Sequence, residues 1–212
     1  MPTARQVIDQ LRSLDGWTQI EKTDDGITTY SRSEPGSQLM AYKGIGVVQA
    51  PLEKMVAITI DRERGSEWMD NLLESRTVRG VFPAEYVLYD HVHTSPVTQD
   101  RDFVTKVITL IDSKPRAVIS VFQEATDPDA PVRQHVRGSL DRSITALISA
   151  DDGHATEVLM DVHADPKGSI AAWMVNATQS GFARNTIRGM RKQAAKPNIE
   201  IPPSVSKLVK KP

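Results

Sequence analysis

The sequence predicts an α+β fold in which one large antiparallel sheet is followed by a long C-terminal helix. Between Glu74 and Ala164 the chain is a succession of segments rich in Val, Ile, Thr and aromatic residues, joined by turn-like stretches. No helix of useful length separates those segments, which disfavours parallel crossover units and favours an antiparallel sheet. From about Ser169 to about Ala195 the pattern changes to helical spacing, and this is the longest helical stretch in the chain.

Each element follows in order. Val7, Ile8, Leu11 and Leu14 recur at helical spacing over residues 4–14, and Asp15-Gly16 stops that helix. TQIEKT, the turn Asp24-Asp25-Gly26 and ITTYSRS read as a hairpin, after which EPGSQ turns the chain into the strand LMAYKGIGVVQ. Pro51 suits the first position of a helix through Met55, Val56 and Ile60, and a further helical turn carries Trp68. The strands ESRTVRGVF, EYVLYDHVH, DFVTKVITLI, RAVISVFQEA, VRGSLDRSITALIS and TEVLMDVHA come next. Ser169 is the expected N-cap of the terminal helix. The expected division is one domain over residues 1–195 and, over 196–212, an extended tail of disordered-type composition rich in proline and basic residues.

Composition excludes several function classes. The 26 Lys and Arg residues are balanced by 27 Asp and Glu, and no basic and aromatic residues interleave, so neither a global field nor a stacking platform for nucleic acid is expected. With no cysteine, disulfides and thiolate metal sites are excluded. The N-terminus lacks the apolar run of a signal peptide, and no segment approaches the roughly 20 apolar residues needed to span a bilayer. The expectation is a cytoplasmic protein, monomeric in its simplest form, that touches membranes transiently and peripherally.

Three stretches carry a resemblance to a known family: Trp17 with the downstream DDGITTYSR, then PVTQDRDFV around Arg101, Asp102 and Phe103, and DPKGSIAAWMVN from Asp165 to Asn176. In order and spacing they resemble the START domain, over roughly Leu14 to Lys192. The chain departs from the family at Ala171, where proline is frequent. It departs again at Val107, where some cholesterol-binding members place an arginine, so sterol specificity is not carried over. The resemblance implies a helix-grip fold, a curved antiparallel sheet wrapped around the long C-terminal helix, with an internal cavity for one lipid or other large hydrophobic molecule. By position, the loop from Asp112 to Arg116 would close that cavity as a gate, with Ser113, Lys114 and Pro115 at its tip.

Periodicity then selects the cavity residues. On DFVTKVITL, residues Phe103, Thr105 and Val107 share a face, and by the resemblance that face looks inward. On the terminal helix Val175, Gln179, Phe182, Thr186 and Met190 form one stripe, whose Gln179 and Thr186 suit the polar part of a ligand. The opposite stripe ends in Arg184, Arg188 and Arg191, a solvated basic face or a membrane-facing one. Arg101 and Asp102 read as structural anchors.

The expected activity is binding of one lipid or other large hydrophobic molecule, which the protein carries between membranes or presents, with no cofactor. A polyketide cyclase or hydrolase type of helix-grip enzyme and a ligand-dependent sensor are the alternatives. Neither the four tyrosines nor the five histidines sit in a catalytic motif, so no catalytic residue is assigned. His91 and His93 share a strand face, as do Asp161, His163 and Asp165, yet such alternation is also how a wet sheet face looks, and no metal site is assigned.

Overall fold

The computed structural model describes residues 2–94, 98–132 and 134–209. Of the RDF-containing stretch, Pro96 and Val97 lie outside the described residues.

Helix α1 (Ala4–Arg12) opens with a capping box in which Thr3 and Gln6 satisfy each other's backbone N–H groups. It buries Val7, Ile8 and Leu11 and stops at Arg12, leaving Leu14 outside the helix. Strands β1 (Thr18–Lys22), β2 (Thr28–Ser33) and β3 (Met40–Val48) form the expected meander. Then come α2 (Leu52–Ile60), a 3-10 turn at Gly65–Glu67, β4 (Leu72–Gly80), β5 (Tyr86–Val92), β6 (Arg101–Ser113) and β7 (Arg116–Glu124). Strands β8 (Val136–Arg137), β9 (Ser139–Ala150) and β10 (Ala155–Asp165) precede helices α3 (Ala172–Gln179), α4 (Phe182–Ala194) and α5 (Pro203–Leu208).

The strands form one ten-stranded sheet in the order β1-β2-β3-β10-β9-β7-β6-β5-β4, antiparallel except where β8 pairs with β6. Opposed residues share a face, so the register assigns every side chain to one of two surfaces. Ile45, Leu159, Ala146, Ile119 and Leu110 align on the outer surface, where Val7, Ile8 and Leu11 of α1 cover them. On the inner surface, α4 lies against β3 and α2 against β9 and β10, around Val118, Leu147, Val158 and Met160.

The grip on α4 depends on two glycines. A Cβ on Gly44 of β3 would come within 2.5 Å of the Ala183 Cβ, and one on Gly189 would come within 1.8 Å of the Trp68 carbonyl oxygen. The helix is therefore pinched between strand and turn at backbone distance, which a side chain at either point would prevent.

Four expectations are corrected. The terminal helix breaks at Ser180-Gly181, where the Ser180 hydroxyl donates back to the Ala177 carbonyl oxygen at 2.8 Å. Its N-cap is Ala171 and not Ser169, because Arg101 donates to the carbonyls of Pro166 and Lys167 and holds that stretch as a loop. The strand expected from Val136 splits at Gly138, whose missing side chain makes room for the Phe103 ring. The tail is not simply extended: Pro203 starts α5, and Val205 and Val209 are buried in the main core.

Candidate functional site

Across the inner surface runs a row of opposed residues, Tyr42, Val162, Ser143, Phe122, Val107 and Tyr86, and beside it a second, Gly44, Met160, Thr145, Ser120 and Thr109. At their flanks Tyr42, Met160, Val107 and Tyr86 are buried. At their centre Val162, Ser143, Phe122, Thr145, Ser120 and Thr109 form a contiguous patch that is only half-buried. Helix α4 packs on β3, and α2 packs on β9 and β10 around Leu147 and Val158, away from this centre, which is left as a candidate chamber floor, apolar at Val162 and Phe122 and hydroxyl-bearing between them.

The residues expected at the wall fall as follows. Phe103, Thr105 and Val107 lie on the inner face of β6, and Val107 packs with Tyr86, Leu88, Phe82 and Phe122. The buried Thr105 and Thr109 hydroxyls have no hydrogen-bond partner among the described residues. Val175, Thr186 and Met190 are buried, and Phe182 is half-buried against the main core. Gln179 braces α3 on the sheet, its amide donating to the Ala164 carbonyl oxygen at 3.0 Å. The stripe read from the sequence is narrower than the buried face, which also includes Ala183, Ile187 and Gln193.

The loop expected as a gate is short. Ser113 ends β6 and Arg116 begins β7, leaving Lys114 and Pro115 as a tight hairpin turn. Arg5 donates to the Lys114 carbonyl oxygen at 3.2 Å and the Asp112 carboxylate accepts from the Lys114 N–H at 2.9 Å, so the turn is tied down on both sides. The other end of the sheet differs. There α3 presents Trp173, 72% exposed, and Met174, 40% exposed, beside the loop that Arg101 holds.

The basic stripe of α4 is also paired. Arg184 meets Glu21 at 2.6 Å, while Arg188 and Arg191 meet Asp25 at 2.9 and 3.1 Å, clamping the β1–β2 hairpin onto the helix. Hydrogen bonds from Arg188 and Thr23 hold the Asp25 carboxyl well below its ordinary value of 3.8. A carboxyl so lowered stabilises the fold fully above its unfolded pKa and ceases to do so as pH falls through the folded value. Asp25→Asn should therefore slightly lower the melting temperature at pH 7 and reduce its decline below pH 4, as measured by thermal melts across that range. A groove of about 560 Å³ lies beside this clamp, lined by Asp25, Val47, Arg191 and Ala194 and by none of the residues of the half-buried centre.

One polar group on the inner face was not anticipated. Asp90 lies opposite Phe103 on β5, and Arg62, between α2 and the 3-10 turn, donates to its carboxylate at 2.9 Å and to the Ser75 hydroxyl at 2.8 Å. Ser75 in turn donates to the same carboxylate oxygen. The pair is largely buried, with 9% of the Arg62 and 18% of the Asp90 side chain exposed. Burial pushes the neighbouring Tyr86 phenol up. A charge in alternation with Tyr86 and Leu88 on an apolar strand face was the available signal. As anchors, Arg101 holds the loop before α3, and Asp102 accepts from Arg137 at 2.7 Å.

Comparison with known proteins agrees with this fold. The START domain profile matches residues 5–196. An uncharacterized protein of Pseudomonas aeruginosa is 24% identical over 179 residues, covering 84% of this chain and 87% of that one. The crystal structure of human STARD10 superposes with a TM-score of 0.82 at 18% identity, covering 93% of this chain and 81% of that one. A STAR-related lipid transfer protein fragment from Xanthomonas axonopodis gives 0.74 at 22% identity, covering 86% of this chain and 100% of the fragment. With nearly its whole length matched, the chain belongs to the START domain family.

Proposed function

We propose that the chamber holds one lipid or similarly large hydrophobic molecule per chain and that the protein carries it between membranes, without a covalent step. The observation that supports this most is the half-buried centre of the inner surface, an apolar and hydroxyl-bearing floor with a buried ion pair on the same face. Each methylene kept out of water is worth about 0.8 kcal/mol, so a chain of about ten saves roughly 8 kcal/mol during transit. The apolar body would lie over Phe122, Val162, Val107 and Phe182, and the polar end would meet Arg62 and Asp90 or the Thr105 hydroxyl. Phe103, Val175, Gln179, Thr186 and Met190 shape the surrounding wall.

The exposed Trp173 and Met174 favour the α3 end as the side that meets a membrane, since an aromatic and a flexible apolar side chain suit the bilayer interface. No helix among the described residues is long and apolar enough to cross a membrane, and the reading is of a cytoplasmic monomer that visits membranes briefly. Helix α3 then moves, while the Lys114 turn stays fixed.

The test fills the chamber. Ser143→Phe and Phe182→Trp should each lower affinity for a fluorescent lipid probe by at least about tenfold, because a bulky ring occupies ligand volume. Far-UV circular dichroism should stay unchanged and each variant should still unfold cooperatively. Unaltered probe affinity in both folded variants would remove this floor from the binding site.

A further inference from the structure

A second cluster lies on the outer surface of the sheet. His91 alternates with Asp90 and so faces away from the chamber, as does His93. Both converge on one carboxylate: His91 Nε2 is 3.1 Å from Asp100 Oδ2, and His93 Nδ1 is 2.9 Å from Asp100 Oδ1. From a third segment, His135 stacks on His91 with ring centroids 3.9 Å apart and planes 20° apart. The Val136 N–H, donating to the Asp100 carbonyl oxygen at 3.1 Å, locks His135 beside Asp100. One ligand atom each from His91, Asp100 and His135 lies within 4.8 Å of the others, and all three residues are partly buried.

We infer that His91, Asp100 and His135 form a binding site for a divalent cation of the zinc type, with His93 holding the ligating carboxylate from behind. Zinc accepts imidazole nitrogen and carboxylate oxygen at about 2.0–2.2 Å, which separates tetrahedral ligands by roughly 3.3 Å. The present His91–Asp100 spacing needs to open by only a few tenths of an ångström, and a turn of the His135 ring completes the set. The neutral imidazole is the form that ligates. The nearby carboxylates are otherwise engaged: Glu74 with Arg76 at 3.2 Å, Asp102 with Arg137 at 2.7 Å. Three protein ligands leave a coordination position for water. The ion would fasten β5 to the leads into β6 and β8. Sequence spacing supplied His91 and His93 alone, since Asp100 and His135 are brought in by the β6–β8 pairing.

The experiment uses the full chain without an affinity tag, stripped with chelator and titrated with Zn2+ alone by calorimetry, then with Co2+ monitored by visible absorption. The expected result is one ion per chain, tetrahedral-type cobalt bands and a higher melting temperature with zinc. His91→Ala and His135→Ala should each weaken zinc by at least about 100-fold, and His93→Ala by about 10-fold to 100-fold. If His135→Ala fails to fold, His135→Phe keeps the ring stack without the ligand and should lose zinc equally. A folded wild-type protein that takes up no stoichiometric zinc, or folded His91 and His135 variants that bind as it does, overturns the proposal.

Discussion

Gly189→Ala should destabilise the protein by about 3 kcal/mol or more, although the same change in an unconstrained helix would favour folding by about 1 kcal/mol. The reversal of sign comes from contact: the added methyl would sit 1.8 Å from the Trp68 carbonyl oxygen, a backbone atom that cannot swing aside. Retreat in the opposite direction is blocked, because Ala183 already meets β3 at Gly44. Urea unfolding followed by circular dichroism measures the difference. A variant as stable as the wild type would mean that α4 is held more loosely than the described packing.

Breaking the ion pair on the inner surface should have a comparable effect. Arg62→Leu leaves the Asp90 carboxylate in a largely buried position with Ser75 as its remaining partner, and unpairing a buried charge costs about 3 kcal/mol at the lower end of the usual range. The double change Arg62→Leu with Asp90→Leu removes both charges and should recover most of that loss, since two apolar side chains fit a surface already shared by Tyr86, Leu88 and Phe103. A double-mutant cycle by denaturant titration separates the two effects. The recovered double variant also isolates binding: with the fold restored, weaker and less selective lipid binding would identify the pair as the polar anchor.

How much of this was legible in the sequence follows from how local each feature is. The alternation of β6 placed Phe103, Thr105 and Val107 on one face because a period of two needs no partner to be read. The residues of the chamber centre, Ser120, Phe122, Ser143, Thr145 and Val162, alternate just as clearly, but nothing local says which of them the helices leave uncovered. Arg62 meets Asp90 across 28 residues of sequence, and Arg188 meets Asp25 across 163, so a helix face that reads as basic is a clamp. The docked tail was partly readable: Val205, Leu208 and Val209 have helical spacing after Pro203, a pattern obscured by the surrounding prolines. The break at Ser180-Gly181 had a local signal in a serine followed by glycine.

The central claim, one hydrophobic molecule in the chamber of each chain, is tested most directly by native mass spectrometry of the purified protein, followed by organic extraction and identification of what is released. The account predicts a single class of lipid-like molecule at one per chain, reduced in Ser143→Phe. A protein that carries nothing and also fails to take lipid from vesicles would contradict it.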